Sequence, residues 1–368
     1  MPVEPQKPYA TGSKGFDPDD FLAQWPKKAQ ALSKHDFRSS IIDNFNLPHN
    51  DSYVYHAIAS VTLSQVQEAT NHGREANLHA CSDDLTSAAL ARAPPQADTE
   101  AYTTLFSPTT TPQKALKAFA SNARKYSLRA SSATYLHSQR LLPSHITIPR
   151  SKAHINPAYD VWALTCKTLE WCGPTPSTHR VRSAHHILPV MMHHFGCVVP
   201  SYEALEIIKQ LSSGRTVLDV GSGNGYWTYM LRRHGVETVA VDNKQSEWRV
   251  MWIGDTISTD GVEFLRKRDG GKGEVLLLVY PVVGGEFTER MVRAYEGDMV
   301  VVAATQNRSG YTAFKDRRVD EWMVEKVGGW EKVVQVALPS FAGKDEGLFV
   351  FERRKGRQSV HEANDLDN

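Results

Sequence analysis

The chain has 368 residues, 41% hydrophobic and 23% charged, a globular composition with apolar material for about two domains. Its 42 Lys and Arg against 41 Asp and Glu leave a formal charge of +1, so no overall field directs it to nucleic acid or an anionic membrane. Four cysteines (Cys81, Cys166, Cys172 and Cys197) are too few and too scattered for a disulfide framework, and they read as reduced thiols of a cytoplasmic or nuclear protein.

Residues 1–20, MPVEPQKPYATGSKGFDPDD, are polar, lack the apolar centre of a secretion signal, and are expected to be disordered. No run approaches the roughly 18 apolar residues of a membrane span. Residues 21–150 predict a helical N-terminal region. FLAQWPKKAQALSKHDF and VYHAIASVTLSQVQEATNHGREANLHA carry broken helical periodicity, and the Pro- and Thr-rich stretch 94–113 reads as a linker. KALKAFASNARKYSLRASSATYLHSQRLL follows as a helix with a basic face. A nucleic acid could use that face, but a solvated helix explains it as well.

Residues 151–211 predict a helical cap of three helices: Tyr159 to Cys172, His185 to Phe195, and Tyr202 to Leu211, the last with Ser201 as N-cap. The run HHILPVMMHHFGC invites a metal reading. Its histidines recur seven or eight apart, about 10–12 Å along a helix, and Pro189 interrupts them, so no metal site is expected. The run reads as cap packing, or as a wall of an acceptor pocket with Trp162 and Trp171.

From Thr216 short β-branched runs alternate with amphipathic helices. TVLDV, TVAVD, EVLLLVYP, DMVVVAAT, KVVQVAL and LFVFER read as strands, and a short third strand is placed near Val250 to Ile253. The helices between them are Tyr226 to His234, Asp260 to Arg268, Phe287 to Tyr295 and Asp316 to Val327. The fold class is therefore α/β: a Rossmann-like seven-stranded sheet over 212–355, mostly parallel with the last strand antiparallel, behind a mostly helical extension. The final pair has no helix between its strands, which predicts a hairpin and a reversed strand at that edge. The tail 356–368 reads as disordered.

Asp219-Val-Gly221-Ser222-Gly223-Asn224-Gly225 lies where the first strand hands over to its helix. Ligands of open α/β sheets bind outside the carboxyl ends of the strands, and glycines there let backbone approach a ligand closely. A dinucleotide would need G-x-G-x-x-G, and the sixth position here carries no glycine. A carboxylate two residues before the first glycine would repel pyrophosphate and attract an amino group or a sulfonium.

This D-x-G-x-G-x-G pattern resembles the first motif of the class I S-adenosylmethionine-dependent methyltransferases. The segments LLLVYP, AYEGDMVVV and ALPSFAGKDEGLFVFERR look like those of methyltransferase-like proteins of microbes and fungi. The resemblance implies S-adenosylmethionine as cofactor and methyl transfer to an unidentified acceptor. It places Asp219 near the cofactor's aminoacyl end, with Gly221, Ser222, Gly223, Asn224 and Gly225 beneath it. Asp242, ending strand two with Asn243 beside it, stands where the family's acid takes the ribose hydroxyls. Asp255 stands near the adenine, or caps a turn. Trp248 and Trp252 read as adenine walls or as core.

Where many members directed at amino groups or nucleobases carry Asn-Pro-Pro-Tyr, this chain has Val279-Tyr280-Pro281-Val282, so methylation of an amide or base is not expected. Tyr280 is the candidate contact to cofactor or acceptor. Gln306, Asn307, Lys344 and Asp345 are further candidate bases at strand ends. The rival reading is a catalytically inactive methyltransferase-like binding module.

Overall fold

The computed structural model describes residues 15–32, 36–73, 82–83, 94–183, 185–243, 248–284 and 286–354. The disorder expected of residues 1–14 and of the 356–368 tail lies outside them. The main sheet is built from β1 (Val217–Val220), β2 (Thr238–Asp242), β3 (Ile257–Ser258), β4 (Val275–Val279), β5 (Met299–Thr305), β6 (Trp330–Ala337) and β7 (Glu346–Arg353). Their spatial order is β6-β7-β5-β4-β1-β2-β3. Neighbouring pairs among β1 to β5 are parallel, and β7 runs antiparallel to both its neighbours.

The reversed strand is real, but it is not the edge. The chain inserts β7 between β5 and β6, leaving β6 outermost. Burial explains this. Residues 346–351 are buried throughout and need cover on both faces and both edges, whereas Glu331, Lys332 and Val333 of β6 are at least partly exposed. Leu141 shields part of the outer edge by exchanging two 2.8 Å backbone hydrogen bonds with Gln335.

The third strand is Ile257–Ser258, paired with Val241 and Asp242, and not Val250 to Ile253. The expected segment fails as a strand because the Trp252 N–H bonds the Asn224 carbonyl (2.8 Å), which ties it to the glycine loop. Two helices flank β1. The first, Tyr202–Ser212, is capped by Ser201 as expected, and the second is Tyr226–Arg233. Gly261–Lys267 and Phe287–Ala294 cover the opposite face. The expected helix Asp316 to Val327 shrinks to Val319–Trp322 followed by a wider π turn over Met323–Val327.

The N-terminal region departs more from expectation. Pro18–Leu32, Phe37–Asn44 and Leu63–His72 are helical, but the intervening stretch read as helix is a two-stranded ribbon, Tyr55–His56 against Ser60–Val61. The third helix begins at the capping box that Thr62 makes with Gln65. The 94–113 linker contains the helix Gln96–Thr104, with Thr99, Tyr102 and Thr103 buried on one face. Threonines on its inner stripe hid the periodicity. The basic stretch is two helices, Pro112–Ser121 and Leu128–Gln139, and Arg129 and Arg140 are committed to Asp98 and Glu203. Within the stretch expected to be disordered, Phe16 and Pro18 are buried, Phe16 against Phe21, Phe45 and Trp252.

One apolar cluster runs from Phe16, Trp25 and Phe45 through the 151–211 helices, including Trp162, to Val217 and Val301 of the sheet. Core therefore crosses the boundaries drawn near residues 20, 150 and 211. Trp252 is its hinge point: its indole meets Phe16, Phe21, Phe195, Tyr226 and Tyr229 at centroid distances of 4.6–5.8 Å and donates to the His194 carbonyl at 2.6 Å. Among the described residues no helix is long and apolar enough to cross a membrane. Trp252→Ala is expected to destabilise the chain by about 3–5 kcal/mol, read as a shift of the urea midpoint at constant slope.

Candidate active site

β1 ends at Val220 and the glycine loop begins. Gly221 and Ser222 donate backbone N–H groups to the Val241 carbonyl (2.8 and 3.1 Å), and the Gly223 N–H donates to Asp242 Oδ2 (2.9 Å). The loop is thus strapped to the end of β2. Gly223 (φ +58°) and Gly225 (φ +79°) occupy left-handed backbone that L-residues rarely adopt. A Cβ on Gly225 would lie 2.4 Å from Ile253, and one on Gly223 would lie 3.0 Å from the Trp248 ring. One on Gly221 would lie 3.1 Å from the Phe287 ring. On that side the missing side chains make room for protein rather than for a ligand.

The polar side of the loop is different. Asp219 is fully buried. Its Oδ2 accepts from Thr228 Oγ1 at 2.6 Å, while its Oδ1 has no partner. Ser222 Oγ and Asn224 Nδ2 are likewise buried without partners. Native proteins leave few such atoms unsatisfied, because each costs about 1–3 kcal/mol. Burial above all pushes the Asp219 carboxyl up to about 7, and the nearby Asp242 adds to it. A cation or a set of N–H donors would relieve both the charge and the empty acceptor.

Asp242 is half-buried at the end of β2, one oxygen taken by Gly223, with Asn243 exposed beside it. Asp255 does not join this group. It turns outward, held by both terminal guanidinium nitrogens of Arg232 (2.8 and 2.9 Å), with over half of its side chain exposed. Trp248 stands on the loop, half-buried, whereas Trp252 is core.

β1 lies beside β4, with Asp219 level with Leu277, so Tyr280 follows at the neighbouring strand end. Tyr280 is held in left-handed backbone (φ +49°), its N–H on the Ala303 carbonyl. Its hydroxyl accepts from Lys344 Nζ at 2.9 Å. Lys344 comes from the turn before β7. Because β7 is reversed, its first residue, Glu346, stands level with Thr305, the last of β5. The turn therefore delivers Lys344, Asp345 and Glu346 to the same carboxyl edge as the glycine loop. Asp345 is satisfied there by Tyr135 (2.6 Å) and Gln306 (3.0 Å), and the Asn307 amide donates to the Lys344 carbonyl (3.4 Å). Glu346 was not singled out from sequence. Its only signal was an acid opening a strand whose reversal places it at the ligand-binding edge.

The histidine run packs against the Tyr55–Val61 ribbon. His194, fully buried, meets Tyr55 Oη at 2.9 Å, and His193 meets the His56 carbonyl at 3.2 Å. Among the described residues no group of three or more His, Cys, Asp or Glu could hold a metal ion. Trp162 and Trp171 are fully buried core.

A sheet ordered with its reversed last strand between the fifth and sixth, and a glycine loop after its central first strand, decides the architecture. The fold is that of the class I S-adenosylmethionine-dependent methyltransferases. No family model and no curated protein matches the chain. Solved structures similar to part of this methyltransferase fold include magnesium protoporphyrin IX methyltransferase of Synechocystis PCC 6803 with bound S-adenosylmethionine. It is 12% identical over 40% of this chain and 79% of that one, with a TM-score of 0.29. Another is Burkholderia thailandensis 1,6-didemethyltoxoflavin-N1-methyltransferase, 14% identical over 41% of this chain and 76% of that one, with a TM-score of 0.30.

Asp219 binds its proton more tightly folded than unfolded, so the stability it contributes is present below about pH 4 and is lost as pH rises towards 7. The stability of the wild type relative to Asp219→Asn should accordingly fall between pH 4 and pH 8, by on the order of 1–4 kcal/mol, in urea titrations of the ligand-free protein.

Proposed function

We propose that this protein is an S-adenosylmethionine-dependent methyltransferase that holds its cofactor over the polar side of the glycine loop. The supporting observation is the group of buried atoms without partners, Asp219 Oδ1 near the end of β1 and Ser222 Oγ and Asn224 Nδ2 on the loop after it, whose backbone is strapped to Asp242. The cofactor supplies, when bound, a methyl group on a positively charged sulfur. The residues do the rest. Gly221 to Gly225 pass beneath the ligand, and Asp219 supplies the negative charge for its cationic end. Asp242, with Asn243 beside it, accepts hydroxyl hydrogens. Asp255 would approach the adenine only by releasing Arg232. Tyr280, one strand over, faces the reacting centre and the acceptor. Placement and desolvation of the acceptor on the methyl axis supply much of such catalysis.

A second reading, a non-catalytic binding module of the same fold, draws support from Trp248 on Gly223 and Phe287 on Gly221, which already pack the loop. Calorimetry separates the two. The enzyme reading expects S-adenosylhomocysteine to bind in the micromolar range and Asp242→Ala to weaken it about tenfold or more, as loss of charge-assisted hydrogen bonds requires. Binding should weaken from pH 8 to pH 6, by up to about tenfold per unit, as Asp219 takes up a proton. No heat with either S-adenosylmethionine or its demethylated product would leave the binding module standing.

A further inference from the structure

The turn before β7 places a second unsatisfied carboxylate at the carboxyl edge. Glu346 is fully buried, and neither side-chain oxygen has a hydrogen-bond partner. Its backbone is fixed by Ser340, whose hydroxyl accepts from the Glu346 N–H at 2.6 Å, and by the Leu338 N–H on its carbonyl at 2.9 Å. The nearby cation is Lys344, itself almost fully buried. No ion pair joins the two within 4 Å, because Lys344 Nζ is spent on Tyr280 Oη at 2.9 Å and lies 3.6 Å from the centre of the Tyr311 ring. Tyr280 and Tyr311 are both half-buried, so Lys344, which touches both, stands one side chain away from solvent.

A carboxylate with empty acceptors in a dry site demands N–H donors, and a cationic donor satisfies it best. The adjoining Asp345 shows the contrast: Tyr135 and Gln306 fill it, and it is closed to a ligand. Burial pushes the Glu346 carboxyl up to about 8 against the opposing pull of Lys344, Ser340 and its own backbone N–H, with Asp345 adding a little, so it is a base near neutrality only when a bound cation holds it ionised.

We infer that Glu346, Lys344, Tyr280 and Tyr311 form the acceptor site and that the acceptor is a primary or secondary amine bound through its N–H groups to the Glu346 carboxylate, an inference that rests on the methyltransferase reading. The amine arrives as an ammonium and gives one proton to Glu346. Its freed nitrogen lone pair forms the N–C bond to the methyl group, and the C–S electron pair returns to sulfur, leaving a neutral thioether and a methylated ammonium. Glu346 then releases its proton to water. Lys344 holds the Tyr280 hydroxyl, and with it the ring, in place beside the amine. Aliphatic amines fit this chemistry better than amides or nucleobases, whose nitrogens are already neutral.

The test uses the full chain saturated with S-adenosylhomocysteine and titrated with butylamine, benzylamine and tyramine against butanol, benzyl alcohol and tyrosol. Each amine should bind at least about tenfold tighter than the alcohol of its shape, and Glu346→Gln should remove that preference while S-adenosylhomocysteine affinity stays within about twofold. Equal binding of amines and alcohols, or no amine binding to the saturated protein, overturns the acceptor assignment and leaves the methyltransferase reading intact. Failure of S-adenosylhomocysteine itself to bind overturns both. The amine-to-alcohol ratio is read on the wild type and so decides the question even if the Gln variant does not fold.

Discussion

The glycine loop is held from behind by protein. Trp252 hydrogen-bonds the loop at Asn224 and buries its ring among Phe16, Phe21 and Phe195. Ile253 fills the space a side chain at Gly225 would need. Close packing of this kind leaves the backbone little freedom to rearrange. The loop's position is therefore set by helices distant in sequence, and the N-terminal region is structural support for the site rather than an appendage. Preorganisation of this sort lets a binding loop present polar atoms without the entropy cost of ordering itself when a ligand arrives.

Along the carboxyl edge the fold keeps three fully buried carboxylates, Asp219, Asp345 and Glu346. Burial raises all three, with values of about 7 to 8. Buried charge is expensive unless paired, and an apolar substitute of similar volume is often no less stable. Asp345 is satisfied by its neighbours and ties the turn to the helix Leu128–Gln139 through Tyr135. Asp219 Oδ1 and both Glu346 side-chain oxygens have no hydrogen-bond partner, and the strand that ends just before Tyr280 lies between their two strands. A cofactor cation at one and an acceptor cation at the other would meet beside that ring.

Much of the sheet was legible because its signals are local. Apolar runs such as VLLLV and MVVVAAT are compatible with little but buried strands, and D-x-G-x-G-x-G marks the turn above the first of them. The parts that were not legible depend on partners far away in the chain. The ribbon at Tyr55–Val61 forms where His193 and His194 receive it. The helix Gln96–Thr104 carries threonines on its inner stripe and gives no apolar period. Asp255 had the right address for an adenine contact, yet Arg232 on the neighbouring helix holds it outward.

The alternation of strands and helices after Thr216, the glycine bend and the acids at two strand ends follow from residue pattern alone, because backbone sterics and alternating burial act over a few residues. Three features required the folded chain: which strand lies at the edge, which acids remain without partners, and that Glu346 shares an edge with Asp219. Each depends on long-range packing and on the reversal of β7, and one chain's local periodicity carries no record of what will sit opposite it.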